Sequence, residues 1–170
     1  MFVTVYVDAS FCGTTKAYGW AAWVRSDEGR YLPSGNGVCV DSVEAELRAI
    51  LYGIKEAVKQ GGKKILLKSD CQAAVDMAKE GAPPSKRPKY KELQDDISRL
   101  CKSNNVIRDI RWVKGHQGEG SVPGWLNQRV HEMAYREMTK KRKELRPAYT
   151  PFAWEKDRPV KPLLMKVSLI

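Results

Sequence analysis

Long apolar runs are missing from this sequence, and histidine and cysteine are scarce. Nowhere do about 18 apolar residues follow one another, which excludes an ordinary membrane-spanning helix. The four cysteines, Cys12, Cys39, Cys71 and Cys101, form no C-x-x-C pair and have no histidine nearby in the sequence. That pattern gives no zinc site and reads as reduced thiols in a reducing compartment. The chain opens as MFVTVYVDAS, directly into an alternating strand, without the basic segment and apolar run of a secretory leader. A cytoplasmic protein with no membrane partner is therefore expected. Negative charge is also in deficit: 30 Lys and Arg stand against 20 Asp and Glu, a net charge of +10. Such an excess favours a polyanionic partner, most simply nucleic acid, with an association that weakens in salt. The hydrophobic fraction of 42% and charged fraction of 29% are those of an ordinary globular chain. A length of 170 residues suits one domain with a short appendage.

Residues 2–8 (FVTVYVD), 18–25 (YGWAAWVR) and a segment around 30–40 predict three strands joined by hairpin-sized turns. A helix follows. Asp41 and Glu44 have capping-box spacing, Leu47, Ile50, Leu51, Ile54, Ala57 and Val58 make one apolar stripe, and Gly61-Gly62 end it. KKILLKSD (63–70) reads as a buried strand, 71–80 and 90–102 as helices, VIRDIRWV (106–113) as a strand and 125–145 as a last helix. The sum, βββ-α-β-α-α-β-α, is an α/β fold: a mixed five-stranded sheet, three strands antiparallel and two parallel, flanked by helices. The domain is expected to span 1–146. Residues 147–170 carry four of the nine prolines and read as an extended tail that could fold back or bind a protein partner.

Asp8 closes the first strand and Asp70 the fourth, and parallel neighbours would place both at one carboxyl edge of the sheet. Glu46, in the first turn of the helix that follows, flanks the buried stripe and can reach the same edge. Each acid alone could be a turn residue or a solvated charge, and Asp70 stands where a helix N-cap would. Together, three converging carboxylates repel one another unless cations lie between them. An oxygen-only donor set suits Mg²⁺ or Mn²⁺, and two such ions would clamp the attacking and leaving oxygens of a phosphodiester.

VYVDAS, AELRAILYGI, LLKSDCQAAV and WVKGHQG…LNQRVHEMA resemble, in order and spacing, the four signature blocks of the type 1 ribonuclease H family, over roughly residues 2–140. The resemblance implies the ribonuclease H-like fold. It also implies cleavage of the RNA strand of an RNA/DNA hybrid with two divalent ions, leaving 5′-phosphate and 3′-hydroxyl ends. It makes Asp8, Glu46 and Asp70 metal ligands and His116 an aid to proton transfer or product release. Where the family has a fourth acid, this chain has His131, four residues after Asn127. Glu132 cannot substitute, because one helical residue turns the side chain by about a quarter of a circle. An imidazole there subtracts a negative charge and offers nitrogen, which favours Mn²⁺ over Mg²⁺. Holliday-junction resolvases of the wider superfamily resemble this arrangement.

The same resemblance marks Ser10, Ser42, Gln72 and Asn127 as candidate substrate contacts. Lys86, Arg87 and Lys89 around Tyr90 are candidates for phosphate contacts in a short basic arm, or for a solvated loop. The expectation is a monomeric endonuclease for RNA/DNA hybrids. Two alternatives stay open: a catalytically impaired nucleic-acid-binding module of the same fold, or a nuclease for structured DNA.

Overall fold

Alternation along the first strand decides what each face of the sheet carries. In the computed structural model, which describes residues 1–114 and 122–145, β1 (Phe2–Phe11) pairs antiparallel with β2 (Ala17–Ser26). Val3, Val5 and Val7 are buried on one face, whereas Tyr6 joins a smaller cluster on the other. β5 (Lys64–Ser69) lies parallel to β1, and β6 (Ile107–Trp112) parallel to β5, both through helical crossovers. The expected third strand is in two pieces, β3 (Gly29–Tyr31) and β4 (Ser34–Val38), both paired to β2. Pro33 stands at the break. It has no N–H for a ladder, and its carbonyl accepts the Ala22 N–H at 2.9 Å. The sheet order is β3-β2-β1-β5-β6 with β4 also beside β2, so the mixed sheet is as expected but has six segments instead of five.

α1 (Ser42–Lys59) starts on the anticipated cap: Asp41 accepts the Glu44 N–H at 2.8 Å. Glu44 reaches back at 3.0 Å to the N–H of Val40, one residue before the cap. Gly61 leaves the helix at φ +82, the left-handed conformation that glycine enters without strain. Leu47, Ile50, Leu51 and Ile54 bury against the valine face, each contributing roughly 1.5–3 kcal/mol. α2 (Gln72–Ala78) and α3 (Pro88–Ser103) share that core. α3 begins two residues earlier than expected because Pro88 occupies its first turn, where the absent N–H costs nothing.

α4 (Gly124–Glu144) packs on the opposite face, setting Leu126, Val130 and Ala134 on Tyr6 and Ala21. It comes close to the backbone at Gly19, where a Cβ would clash with the Ala134 carbonyl oxygen and the Met138 nitrogen. Among the described residues, no helix is long and apolar enough to cross a membrane. The tail at 147–170, its boundary at 146 and the loop residue His116 lie outside the described residues.

Candidate active site

The parallel ladder between β1 and β5 ends at Tyr6 opposite Lys68, while β1 continues beside β2 as far as Phe11 opposite Tyr18. Asp8 therefore does not end its strand, as the sequence suggested; it lies where β1 has outrun its parallel neighbour. Asp70 directly follows β5, whose last residue is Ser69. It is not the N-cap of α2, a position held by Cys71 without a side-chain cap. Glu46 projects from α1 toward the same edge. One carboxylate oxygen from each of Asp8, Glu46 and Asp70 lies within 4.8 Å of the others.

Burial sharpens the conflict between these charges. Asp8 is 5% exposed. Its burial, and then the charge of Asp70, push its carboxyl up to about 6, against the opposing pull of His131 and the Ala9 N–H. Glu46 is driven well above the usual carboxylate range, first by burial and then by Asp8 and Asp70. Its Oε1 is buried and has no hydrogen-bond donor among the described residues. Glu44, two residues earlier, differs in this respect, since it is taken up by Val40 and by Arg48 Nε at 2.9 Å. Three close carboxylate oxygens, and a Glu46 oxygen buried without a donor, form the donor set that a hard divalent cation requires. The residues present fit such an ion.

His131 reaches the cluster from the α4 side, with Nδ1 3.0 Å from Asp8 Oδ2 and about half of its side chain exposed. One helical turn earlier, Asn127 accepts the Tyr6 hydroxyl proton across the interface between α4 and β1. Asn127 was expected to touch substrate, but it is 2% exposed. The structure sets it on the packed side of α4, bonded to Tyr6 of β1. Burial first, then the three carboxylates, keep the Tyr6 hydroxyl protonated and hence a donor.

Ser10 and Ser42 share β1 and α1 with Asp8 and Glu46, and the other candidates lie on α2 and at the start of α3. Ser10 is half-buried two residues beyond Asp8, and Ser42 is exposed at the first residue of α1. Gln72 is exposed at the first residue of α2, donating to Asp76 at 3.1 Å. Lys86 and Arg87 precede α3, Lys89 lies in its first turn, and all three are exposed. Arg87 lies 3.5 Å from Asp41, which also accepts the Tyr90 hydroxyl at 2.7 Å. Lys89 faces Glu92 at 3.4 Å. Arg87 and Tyr90 thus tie this stretch to the start of α1.

Two positioning residues escaped the sequence reading. Tyr6 had a signal: it precedes Asp8 by two residues on one face of a strand. Glu137 had none. Its carboxylate accepts from Asn36 Nδ2 at 2.7 Å and Ser34 Oγ at 3.1 Å, roping β4 to α4 across about a hundred residues of chain.

Comparison with known proteins agrees with this architecture. The family model described as reverse transcriptase-like matches residues 6–114. A ribonuclease H of Campylobacter concisus (strain 13826) is 27% identical over 143 residues, covering 81% of this chain and 93% of that protein. The N-terminal RNase H domain of a Mycobacterium tuberculosis protein superposes with a TM-score of 0.66 at 19% identity, covering 84% of this chain and 97% of that one. LC11-RNase H1, crystallised in complex with an RNA/DNA hybrid, superposes with a TM-score of 0.62 at 16% identity, covering 82% of this chain and 98% of that one. With the mixed sheet, the helix order and the acidic edge already in place, the chain belongs to the reverse transcriptase-like family and has the ribonuclease H fold.

Proposed function

We propose that the protein is a metal-dependent endonuclease that cuts the RNA strand of RNA/DNA hybrids, leaving 5′-phosphate and 3′-hydroxyl ends. The observation that carries this reading is the gathering of Asp8, Glu46 and Asp70 within 4.8 Å, with Glu46 Oε1 buried and lacking a donor. The named activity of the Campylobacter concisus relative and the hybrid bound by LC11-RNase H1 support the substrate class. The net charge of +10 suits a polyanion.

Asp8, Glu46 and Asp70 would hold two divalent cations, Mg²⁺ or Mn²⁺, with His131 completing the ring. When bound, the ions supply an activated water and stabilise the departing oxygen. The protein's own contribution is positional. Asp8 is oriented by the Ala9 N–H at 2.9 Å and by His131, and the bond between Tyr6 and Asn127 fixes α4 against β1. Ser10, Ser42 and Gln72, each within four residues of one of the acids along the chain, would contact sugar and phosphate. Arg87 would add phosphate attraction near the start of α1, and Lys86 and Lys89 would extend it at the start of α3. His116 on its loop would move the proton as product leaves.

The reading is tested with an end-labelled RNA/DNA hybrid and either metal. Cleavage of the RNA strand is expected from the wild type and not from Asp8→Asn or Asp70→Asn. Cleavage that survives both substitutions refutes the metal site. One observation favours a second reading. An imidazole beside Asp8, where the family has a carboxylate, would weaken ion binding enough to leave a nucleic-acid-binding module. Tight hybrid binding without cleavage in either metal identifies that outcome.

A further inference from the structure

One helix covers the α4 face of the sheet, and a corner of that face stays open. Thr4, Arg25, Arg30 and Lys68 floor a cavity of about 310 Å³ there, and Trp23 and Trp125 stand among its walls. Strand register explains the grouping. Thr4 is opposite Arg25, Tyr6 is opposite both Trp23 and Lys68, and Arg25 is opposite Arg30, so these side chains share one face.

Two features make the corner unusual. The direct pairing of Arg25 with Arg30 sets like charges across a strand pair, which is destabilising unless an anion lies between them. Among the described residues no carboxylate lines the cavity, and the first turn of α4 carries no acid. The aromatic content is the second feature. Trp125 is 66% exposed, a large apolar ring left in water. The Arg25 guanidinium already lies over the Trp23 ring at 5.8 Å, leaving Trp125 as the open stacking surface.

We propose that this corner binds nucleotide units of single-stranded nucleic acid, with an unpaired base stacked on Trp125 and phosphates held by Arg25, Arg30 and Lys68. An acidic peptide would satisfy the cations but would not use the indole face. A duplex hides its base faces in its own stack, so only an unpaired strand can use both features. Thr4 is four residues before Asp8 on the same face of β1, about 13 Å along the strand. Tyr6, between the two on that face, is covered by α4, so the corner is a separate site: binding there needs none of the acidic-edge carboxylates and stands apart from the nuclease reading.

The test uses the full chain in chelator, so that the acidic site contributes no metal-dependent binding. A fluorescein-labelled single-stranded oligodeoxyadenylate is titrated by anisotropy, with tryptophan fluorescence recorded in parallel. Adenosine monophosphate, duplex DNA and polyglutamate form the other arms. Wild-type protein is expected to bind the oligonucleotide with quenching, and Trp125→Leu to weaken it about tenfold, whereas Trp125→Tyr keeps most of the affinity. Arg25→Ala with Arg30→Ala should lower the slope of log affinity against log salt by about 1.4, two contacts at about 0.7 each. Quenching by adenosine monophosphate that Trp125→Leu removes would assign the base to that ring. Thermal melts of the Trp125 variants should match wild type, since the ring is exposed. Oligonucleotide affinity indifferent to Trp125→Leu, or polyglutamate or duplex DNA binding as tightly as the single strand, overturns the proposal.

Discussion

Asp70→Asn is expected to raise the stability of the metal-free protein while removing most of its stabilisation by metal. Asp8 is held up to about 6 from an ordinary value of 3.8, a gap worth roughly 3 kcal/mol. Burial is the larger cause and Asp70 the next, so neutralising Asp70 should return about 1 kcal/mol at Asp8. Relief at Glu46, which Asp70 also pushes up, adds to this gain. The sign follows from proton binding. Between about pH 4 and 6 the folded Asp8 keeps a proton that the unfolded chain has lost, so stability falls as pH rises through that window. The penalty is complete above it, and the advantage of the variant should be largest near pH 8 and fade toward pH 4. Thermal melts in chelator should therefore show the variant about 2–4 °C above wild type. Divalent ion at about a hundred times its dissociation constant should add about 2.7 kcal/mol to wild type, roughly 5–10 °C, and much less to the variant. A variant less stable than wild type in chelator, or one that keeps the full metal shift, would refute the reasoning.

Three further outcomes follow from the same geometry. His131→Asp restores an oxygen ligand and should move the metal preference toward Mg²⁺ by roughly tenfold; superimposable Mg²⁺ and Mn²⁺ titrations of the two proteins would remove His131 from the ligand set. Tyr6→Phe deletes the buried bond to Asn127 and should cost about 1–2 kcal/mol in urea denaturation, so an unchanged midpoint would show that the bond contributes nothing. Gly19→Ala forces a methyl group against the backbone of α4 and should cost about 3 kcal/mol or more. A variant that melts with wild type would show that α4 can sit farther from β2.

Much of the fold was legible because the core writes itself in periodicity. Val3, Val5 and Val7 alternate, and Leu47, Ile50, Leu51 and Ile54 recur at helical spacing; both patterns bury as they read. The cap at Asp41 and the stop at Gly61 are local chemistry and were visible for that reason. What failed was set by tertiary pairing. The length of β1 beyond Asp8 depends on β2, and the split of the third strand depends on where Pro33 falls relative to the ladder. Asn127 shows the limit at the site itself. Its motif position suggested a substrate contact, whereas the face it occupies is fixed by how α4 lies on Tyr6.

The gathering of Asp8, Glu46 and Asp70 was legible only jointly, from two parallel strands and a helix flank that had to meet at one edge. That they meet is geometry; that they share ions is the central claim. Manganese binding, followed by electron paramagnetic resonance on wild type and Glu46→Gln, tests it most directly. Wild type is expected to bind Mn²⁺, and the glutamine variant to lose an ion or weaken binding about tenfold or more. The same number of ions bound with the same affinity by both proteins would contradict it.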